Sequence, residues 1–206
     1  MNFKLIENFI SAQEREEILE YSKSQKDVVP GDIKNVHVKA VNEQIKGSSI
    51  TCDMTNTEVS KAASKYQGDS TCVTSVPELF YNIKDRISDE VKINKENVFF
   101  QFLQLKSGGA VPMHYDASAP GYITYKCNIP VIGPNTDDVH IDKSVFSFPM
   151  LSLYCFEANL YKHWANASDE KRIILSYGFI VPYADLGWKE SDGRVRLSNK
   201  LWKKFS

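Results

Sequence analysis

The residues best able to do chemistry in this sequence are two histidines and one aspartate. His114 and Asp116 are separated by a single tyrosine, in a stretch that follows a Gly-Gly turn and has the pattern of a β-strand. Residues two apart on a strand project from the same face, so both side chains can reach one cation. His163, farther along the chain, can complete a set of two imidazoles and one carboxylate. Such a facial triad suits iron(II) and leaves coordination positions open.

A second pair of the same type, His140 and Asp142, competes for this role. His163 follows His114 by 49 residues, which leaves room for several strands, but it follows His140 by only 23. The stretch around His140 is also rich in charge, which is typical of an exposed loop or edge. We therefore expect His114 and Asp116 to be ligands and His140 to lie at the surface. The alternative is that His163 is a hydrogen-bonded core histidine and the first pair an ordinary surface pair.

Arg172 opens a predicted strand nine residues after His163. Its guanidinium group can bind a dicarboxylate through two parallel hydrogen bonds, which a lysine cannot do. Alternation along the strand places Ser176 on the same side as Arg172. A surface ion pair with Asp169 or Glu170 is the simpler alternative for Arg172.

Helical signals dominate the first part of the chain, residues 1–92. Ser11 and Glu14 have the spacing of a capping box at the start of one predicted helix. A second helix is predicted at 57–66. A third opens near Pro77, which is tolerated in a first turn, and continues with apolar residues at helical spacing. None of these segments carries an obvious chemical group, so we expect them to form a supporting layer.

The pattern changes to that of strands from Val98 onward. The predicted strands are short, rich in aromatic and β-branched residues, and separated by turn sequences; they are 98–106, 111–116, 122–132, 139–148, 151–156, 160–164 and 172–181. Strands of this kind without intervening helices predict a jelly roll. We therefore expect one domain over 1–206 with an α+β, mainly β fold. Its core at 98–182 would be a double-stranded β-helix that carries the N-terminal helices on its outer sheet.

The composition is that of an ordinary globular protein, with 42% hydrophobic and 25% charged residues. The formal net charge of -1 gives no global attraction to nucleic acid or to an anionic membrane. The sequence has neither the layout of a signal peptide nor an apolar run of membrane-spanning length. The four cysteines lie far apart, which favours free thiols over a zinc site or a disulfide framework. We therefore expect a cytoplasmic protein.

The order His-x-Asp, distal His and then Arg nine residues later resembles the iron(II)/2-oxoglutarate-dependent dioxygenase superfamily. The resemblance covers residues 98–182 and includes the strand and glycine turn that lead into His114. It implies bound iron(II), 2-oxoglutarate as cosubstrate, O₂ as oxidant and ascorbate as a reductant. The product would be a hydroxylated C–H bond, with release of succinate and CO₂. The resemblance also implies that Arg172, helped by Ser176, binds the 5-carboxylate of the cosubstrate.

Two branches of that superfamily share further features with this chain. The segment from His163 to Arg172 resembles the distal half-motif of prolyl hydroxylases and of aspartyl/asparaginyl β-hydroxylases. Lys126-Cys-Asn128 is similar to an Arg-x-His segment of the second branch, which implies that Lys126 contacts the substrate acid and Asn128 the cosubstrate. Both residues depart from the family's residue types. Tyr125, beside Lys126, is a further candidate for substrate binding.

The substrate itself is not specified by these motifs. A carboxylate anchor at Lys126 favours an amino-acid-type or peptidyl substrate, and residues 117–125 have the position of a lid. The basic segment 189–206, with six Lys/Arg against two Asp/Glu, fits a solvated terminal helix or a grip on an acidic partner. The alternatives are a non-catalytic cupin-like binding module, a metal enzyme that needs no 2-oxoglutarate, and a nucleobase-directed oxygenase. The last lacks support because the chain does not carry the Arg-x-Asn-x-Thr-x-Arg signature of DNA-repair dealkylases.

Overall fold

The structure, a computed structural model, describes residues 3–24, 45–50, 77–93, 98–105, 111–116, 121–133 and 139–189. Within these residues the helices are α1 (Ala12–Ser24) and α2 (Glu78–Val91), with a 3-10 turn at Tyr183–Leu186. The strands, in chain order, are β1 (Lys4–Ile6), β2 (Ile45–Ile50), β3 (Val98–Leu105), β4 (Val111–His114), β5 (Tyr122–Ile132), β6 (Val139–Ile141), β7 (Ser144–Phe146), β8 (Leu153–Glu157), β9 (His163–Ala165) and β10 (Arg172–Pro182).

The strands form two antiparallel sheets. The large sheet has the order β1-β8-β5-β10-β3-β2, and the small sheet has the order β4-β9-β6-β7. The described chain is therefore mainly β with two helices, in agreement with the class that the sequence predicts, whereas the double-stranded β-helix remains a prediction. Neither described helix has the length and apolar character needed to cross a membrane.

Three local features differ from the sequence prediction. β1 and β2 lie in the part expected to be helical. Among the described strands each lies at an edge of the large sheet and pairs with one neighbour, so sheet pairing overrides a weak local pattern. The strand predicted at 139–148 is a hairpin of β6 and β7, which turns at Asp142 with φ of 56°. Aspartate tolerates this left-handed conformation better than most residues. The helix predicted at 57–66 lies outside the described residues.

The capping box predicted at the start of α1 is present. The Glu14 backbone N–H donates to the Ser11 hydroxyl at 3.1 Å, and the Ser11 N–H donates to the Glu14 carboxylate at 2.7 Å. Arg86 of α2 also donates to Glu14 and, through its other terminal nitrogen, to the carbonyl of Phe9. These contacts join the start of α1 to α2.

The two faces of the large sheet have different partners. On β10, Leu175 and Tyr177 pack in the core that the helices cover, and the Tyr177 hydroxyl donates to the Phe80 carbonyl of α2 at 3.1 Å. Because side chains alternate along a strand, Ser176 projects from the opposite face. On that inner face, Phe156 of β8 packs with Ile141 of the small sheet. The inner face therefore looks towards the small sheet, and the helices support the large sheet from behind.

Candidate metal centre

The small sheet brings the three predicted metal ligands together. His114 of β4 and His163 of β9 are direct cross-strand partners, and Asp116 follows two residues after His114. One ligand atom from each of the three residues lies within 4.8 Å of the other two. The carboxylate oxygen Oδ1 of Asp116 is 3.3 Å from His114 Nε2 and 3.4 Å from His163 Nε2. The atoms thus converge on one point, as a single ion requires.

A hydrogen bond at Nδ1 orients the His163 ring so that Nε2 can coordinate a metal ion. Its Nδ1 lies 3.1 Å from the Tyr161 carbonyl oxygen, which makes Nδ1 the protonated nitrogen and leaves the lone pair on Nε2. Nε2 is buried and has no hydrogen-bond partner among the described residues. An unpaired buried acceptor that faces a carboxylate and a second imidazole fits a metal ion. The set of two imidazoles and one carboxylate is typical of non-haem iron(II).

Burial determines the protonation state of the His163 ring. The residue is 8% exposed, and the Phe156 ring packs edge-on against its imidazole with centroids 5.0 Å apart. This desolvation lowers the pKa of His163 and outweighs the opposite effect of Asp116. The imidazole is therefore neutral near pH 7, which is the form that can bind a metal.

Asp116 is fixed by both its backbone and its carboxylate. Its N–H donates to the Ala158 carbonyl at 3.0 Å, just beyond the end of β8. Its Oδ2 accepts a hydrogen bond from Lys126 Nζ at 2.8 Å. Burial raises the pKa of Asp116, but the Lys126 ammonium and the adjacent imidazoles of His114 and His163 outweigh it and hold the pKa well below its usual range. The carboxylate is therefore an anion.

The residues predicted to bind the cosubstrate lie on the inner face of the large sheet. Ser176 of β10 and Asn128 of β5 are direct cross-strand partners and are both buried. Neither the Ser176 hydroxyl oxygen nor the Asn128 amide oxygen has a hydrogen-bond partner among the described residues. Arg172, two strand repeats from Ser176, is 4% exposed, and its Nη2 donates to the Asn166 carbonyl at 2.7 Å. A guanidinium this deeply buried does not fit the alternative of a surface ion pair.

Lys126 and Tyr125 lie on opposite faces of β5. Lys126 projects from the inner face and reaches Asp116. Tyr125 packs among apolar residues on the outer side, including Ile123 and Leu160, and burial raises the pKa of its hydroxyl. The structure therefore places Lys126 at the metal centre and Tyr125 away from it.

Two aromatic residues of β8, which the sequence motifs do not single out, also lie at the site. Phe156 contacts the ring of His163, and Tyr154 lines a cleft beside Arg172 together with Pro130 and Ile174. Their alternation with Leu153 and Cys155, which face the helices, predicts that they share the opposite face, but not that this face lines a site.

The competing histidine lies apart from this group. His140 stacks on Trp164 with ring centroids 4.3 Å apart, and its Nε2 is 2.9 Å from the Asn166 amide nitrogen. Asp142 is exposed at the β6–β7 turn. The cluster of possible ligands found within the described residues contains neither His140 nor Asp142.

No protein-family model and no curated protein sequence matches this chain. Solved structures do match. The viral collagen prolyl hydroxylase of Paramecium bursaria Chlorella virus-1 is 11% identical, with a TM-score of 0.60 over 88% of this chain and 97% of its own. A prolyl-4-hydroxylase of Pseudomonas putida is 9% identical, with a TM-score of 0.54 over 86% and 91%.

A further match is HygX from Streptomyces hygroscopicus, solved with nickel and 2-oxoglutarate bound. It is 8% identical, with a TM-score of 0.56 over 87% of this chain and 82% of its own. At such identities the likeness concerns the fold. The matches and the His-Asp-His cluster nevertheless agree with the resemblance that the sequence motifs carry. The chain therefore has the fold of the prolyl hydroxylases and other 2-oxoglutarate- and iron(II)-dependent oxygenases.

Proposed function

We propose that this protein is an iron(II)- and 2-oxoglutarate-dependent oxygenase that hydroxylates a C–H bond. The observation that carries the proposal is the convergence of His114, Asp116 and His163 on one point inside a fold shared with such enzymes. The balanced reaction consumes substrate, 2-oxoglutarate and O₂ and yields hydroxylated substrate, succinate and CO₂. Ascorbate would serve only as a reductant in the assay.

In this proposal His114, Asp116 and His163 hold the metal. Bound iron(II) supplies the redox chemistry for activating O₂. The protein contributes orientation and charge: the Tyr161 carbonyl fixes the tautomer of His163, and Lys126 keeps Asp116 ionised. Phe156 excludes water from one side of the His163 ring. These contacts fix the orientation and the charge of the ligands, which favours binding of a metal ion.

Arg172, Ser176 and Asn128 are the proposed contacts for 2-oxoglutarate. A buried guanidinium is the group best suited to a carboxylate, since it is always charged and has donors in a planar fork. The Ser176 hydroxyl can donate to the same acid, and the Asn128 amide offers both a donor and an acceptor. Both side chains are buried with an oxygen that lacks a partner among the described residues. A bound carboxylate would accept hydrogen bonds from the Ser176 hydroxyl and from the Asn128 amide nitrogen.

We further propose an amino-acid-type or peptidyl substrate. Lys126 supports this choice, because its ammonium has three donors and Asp116 Oδ2 accepts only one of them. One structural neighbour, a prolyl hydroxylase from Trichoplax adhaerens, was solved with a peptide fragment of hypoxia-inducible factor. HygX was solved with hygromycin B.

The buried free thiols of Cys127 and Cys155 are compatible with the proposed cytoplasmic location.

The test is an anaerobic titration of the purified protein with iron(II) and 2-oxoglutarate, followed through the weak visible metal-to-ligand charge-transfer band. We expect the band in the parent, its loss in His163→Ala, and a requirement for much more cosubstrate in Arg172→Ala. His140→Ala is the matched control, since it removes a histidine of the same sheet that lies outside the cluster; it should behave as the parent.

Two results would contradict the proposal. Absence of the band in folded, metal-loaded parent protein would exclude cosubstrate chelation at the metal. A band without succinate formation across a panel of amino acids and peptides, in the presence of O₂ and ascorbate, would instead favour the binding module without turnover.

A further inference from the structure

Lys126 and Asp116 form an ion pair that crosses from one sheet to the other. Lys126 lies on β5 of the large sheet, and Asp116 follows β4 of the small sheet. Their side chains are 10% and 14% exposed, and Nζ lies 2.8 Å from Oδ2. A pair this well buried is screened little by solvent, and leaving either charge without its partner would be costly. The contact is therefore a strong candidate for a specific role at the site.

The two oxygens of the Asp116 carboxylate have different environments. Oδ2 accepts the hydrogen bond from Lys126, whereas Oδ1 is the oxygen near both His114 and His163. A carboxylate can bind a cation through one oxygen or through both. Here Oδ1 faces the two imidazoles, and Oδ2 accepts the hydrogen bond from Lys126.

The backbone around the pair holds both partners in register. The Asp116 N–H donates to the Ala158 carbonyl at 3.0 Å, and the Ala158 N–H donates to the Thr124 carbonyl at 2.9 Å. Thr124 lies two residues before Lys126 on the same strand. Ala158 therefore connects the backbone of this strand to the backbone of Asp116 through two hydrogen bonds. The lysine and the aspartate are therefore placed relative to each other by hydrogen bonds as well as by their own contact.

We infer that Lys126 is a positioning residue that engages Oδ2 of Asp116 so that Oδ1 alone is presented to a divalent metal ion. The inference rests on the metal-binding part of the proposed function and not on the cosubstrate or the substrate. Ligating carboxylates are commonly held by hydrogen bonds from neighbouring side chains, and losing such a contact typically weakens metal binding by about 10- to 100-fold.

The charge of Lys126 acts in the opposite direction. An ammonium beside a ligand oxygen repels a divalent cation, so a purely electrostatic role predicts that removing Lys126 tightens metal binding. A positioning role predicts that the same change weakens it. The sign of the change in affinity therefore distinguishes the two.

The experiment is a titration of the full chain with Co(II) alone, whose visible spectrum reports coordination number and geometry. The variants are Lys126→Met, which keeps the length of the side chain without its donors, and Lys126→Arg, which keeps charge and donors. Lys143→Met is the matched control, because Lys143 is exposed in the β6–β7 turn. We expect Lys126→Met to weaken Co(II) binding by about 10- to 100-fold and to alter the spectrum. Lys126→Arg should restore both in large part, and Lys143→Met should match the parent.

Thermal unfolding monitored by circular dichroism shows whether each variant is folded. If Lys126→Met does not fold, Lys126→Gln is measured in its place with the same expected direction. Parent-like or tighter Co(II) binding by the folded neutral variant, with an unchanged spectrum, overturns the inference and leaves the proposed function intact. A parent that binds no Co(II) overturns both.

Discussion

At the scale of single residues, the cross-strand pair of Ser176 and Asn128 is the most informative about ligand binding. The Ser176 hydroxyl oxygen and the Asn128 amide oxygen are buried without a partner among the described residues. Burying a hydroxyl in this state costs free energy of folding, and a bound ligand that accepts its hydrogen bond would offset that cost.

Ser176→Ala should therefore weaken 2-oxoglutarate binding without weakening the fold. A hydrogen bond to a charged group contributes about 1.5–3 kcal/mol, which corresponds to at least a 10-fold loss in cosubstrate affinity. The free energy of unfolding should stay equal or rise, because an unsatisfied buried hydroxyl is removed. The cosubstrate dependence of the charge-transfer band and urea denaturation measure the two quantities. Ser147→Ala, at an exposed position, is the control. A variant with unchanged cosubstrate affinity would remove Ser176 from the proposed site.

The site residues that the sequence could predict are those whose relation depends on local spacing. His114 and Asp116 were predictable as a pair because they are only two residues apart, although β4 ends at His114 and Asp116 lies just beyond the strand. Tyr154 and Phe156 were not, since aromatic residues in a strand give the same pattern in a core and in a cleft. The partner of Lys126 depends on the register between the sheets, which is a tertiary property.

At the scale of elements, the start of α1 is a junction where local and tertiary contacts meet. Glu14 closes the capping box with Ser11 and also pairs with Arg86 of α2. Burial raises the pKa of Glu14, but the Ser11 N–H and then Arg86 outweigh it, so the net shift is downward. A carboxyl group with a lowered pKa in the folded state stabilises the fold at pH values above its unfolded pKa. This stabilisation is lost as the pH falls through the folded pKa.

Glu14→Ala should lower the free energy of unfolding by about 1 kcal/mol at pH 7, the usual size of a lost capping interaction. Glu14→Gln keeps an acceptor for the Ser11 N–H and should lose less. The difference between parent and variant should shrink as the pH is lowered below about 4.3, the ordinary pKa of glutamate, because the parent's carboxylate is then protonated. Urea denaturation at pH 7 and at successively lower pH tests this. A difference that is independent of pH would show that the charge of Glu14 plays no part.

Local signals of this kind also separate the elements that the sequence predicts from those it does not. The capping box lies within four residues and was predictable from Ser11 and Glu14 alone. β2 contains a glycine and two serines in six residues, so it lacks an apolar alternation, and its strand conformation accompanies its pairing with β3. The hairpin at Asp142 was missed because the predicted run 139–148 gave no glycine or proline to mark its turn.

At the scale of the whole molecule, the large sheet separates the helix-covered core from the site. Phe80, Ile83 and Ile87 of α2 pack on the outer face in one cluster with Leu175 and Tyr177 of β10. The proposed ligand contacts lie on the inner face of the same strands. Stability and ligand binding should therefore respond to different substitutions.

Ile83→Ala should destabilise the protein by about 3 kcal/mol, since it leaves a cavity at a fully buried position. The Co(II) affinity of the folded variant should equal that of the parent, because the cavity lies behind the large sheet. Leu5→Ala, at a residue that is 40% exposed, should change stability by less than about 0.5 kcal/mol. Denaturation and Co(II) titration of both variants test the separation. Weakened Co(II) binding in folded Ile83→Ala would show that the two faces are coupled.

The distribution of the site over the two sheets has a consequence for how such a protein can diversify. His114 and His163 belong to the small sheet, with Asp116 directly after it, whereas Arg172, Ser176 and Asn128 belong to the large sheet. Substitutions on β5 and β10 would thus change the proposed cosubstrate contacts while the proposed metal ligands stay unchanged. The proposed metal ligands and the proposed cosubstrate contacts could therefore change independently of each other. Lys126 is the exception, because it belongs to the large sheet and contacts Asp116. A substitution at Lys126 would therefore affect both groups of residues.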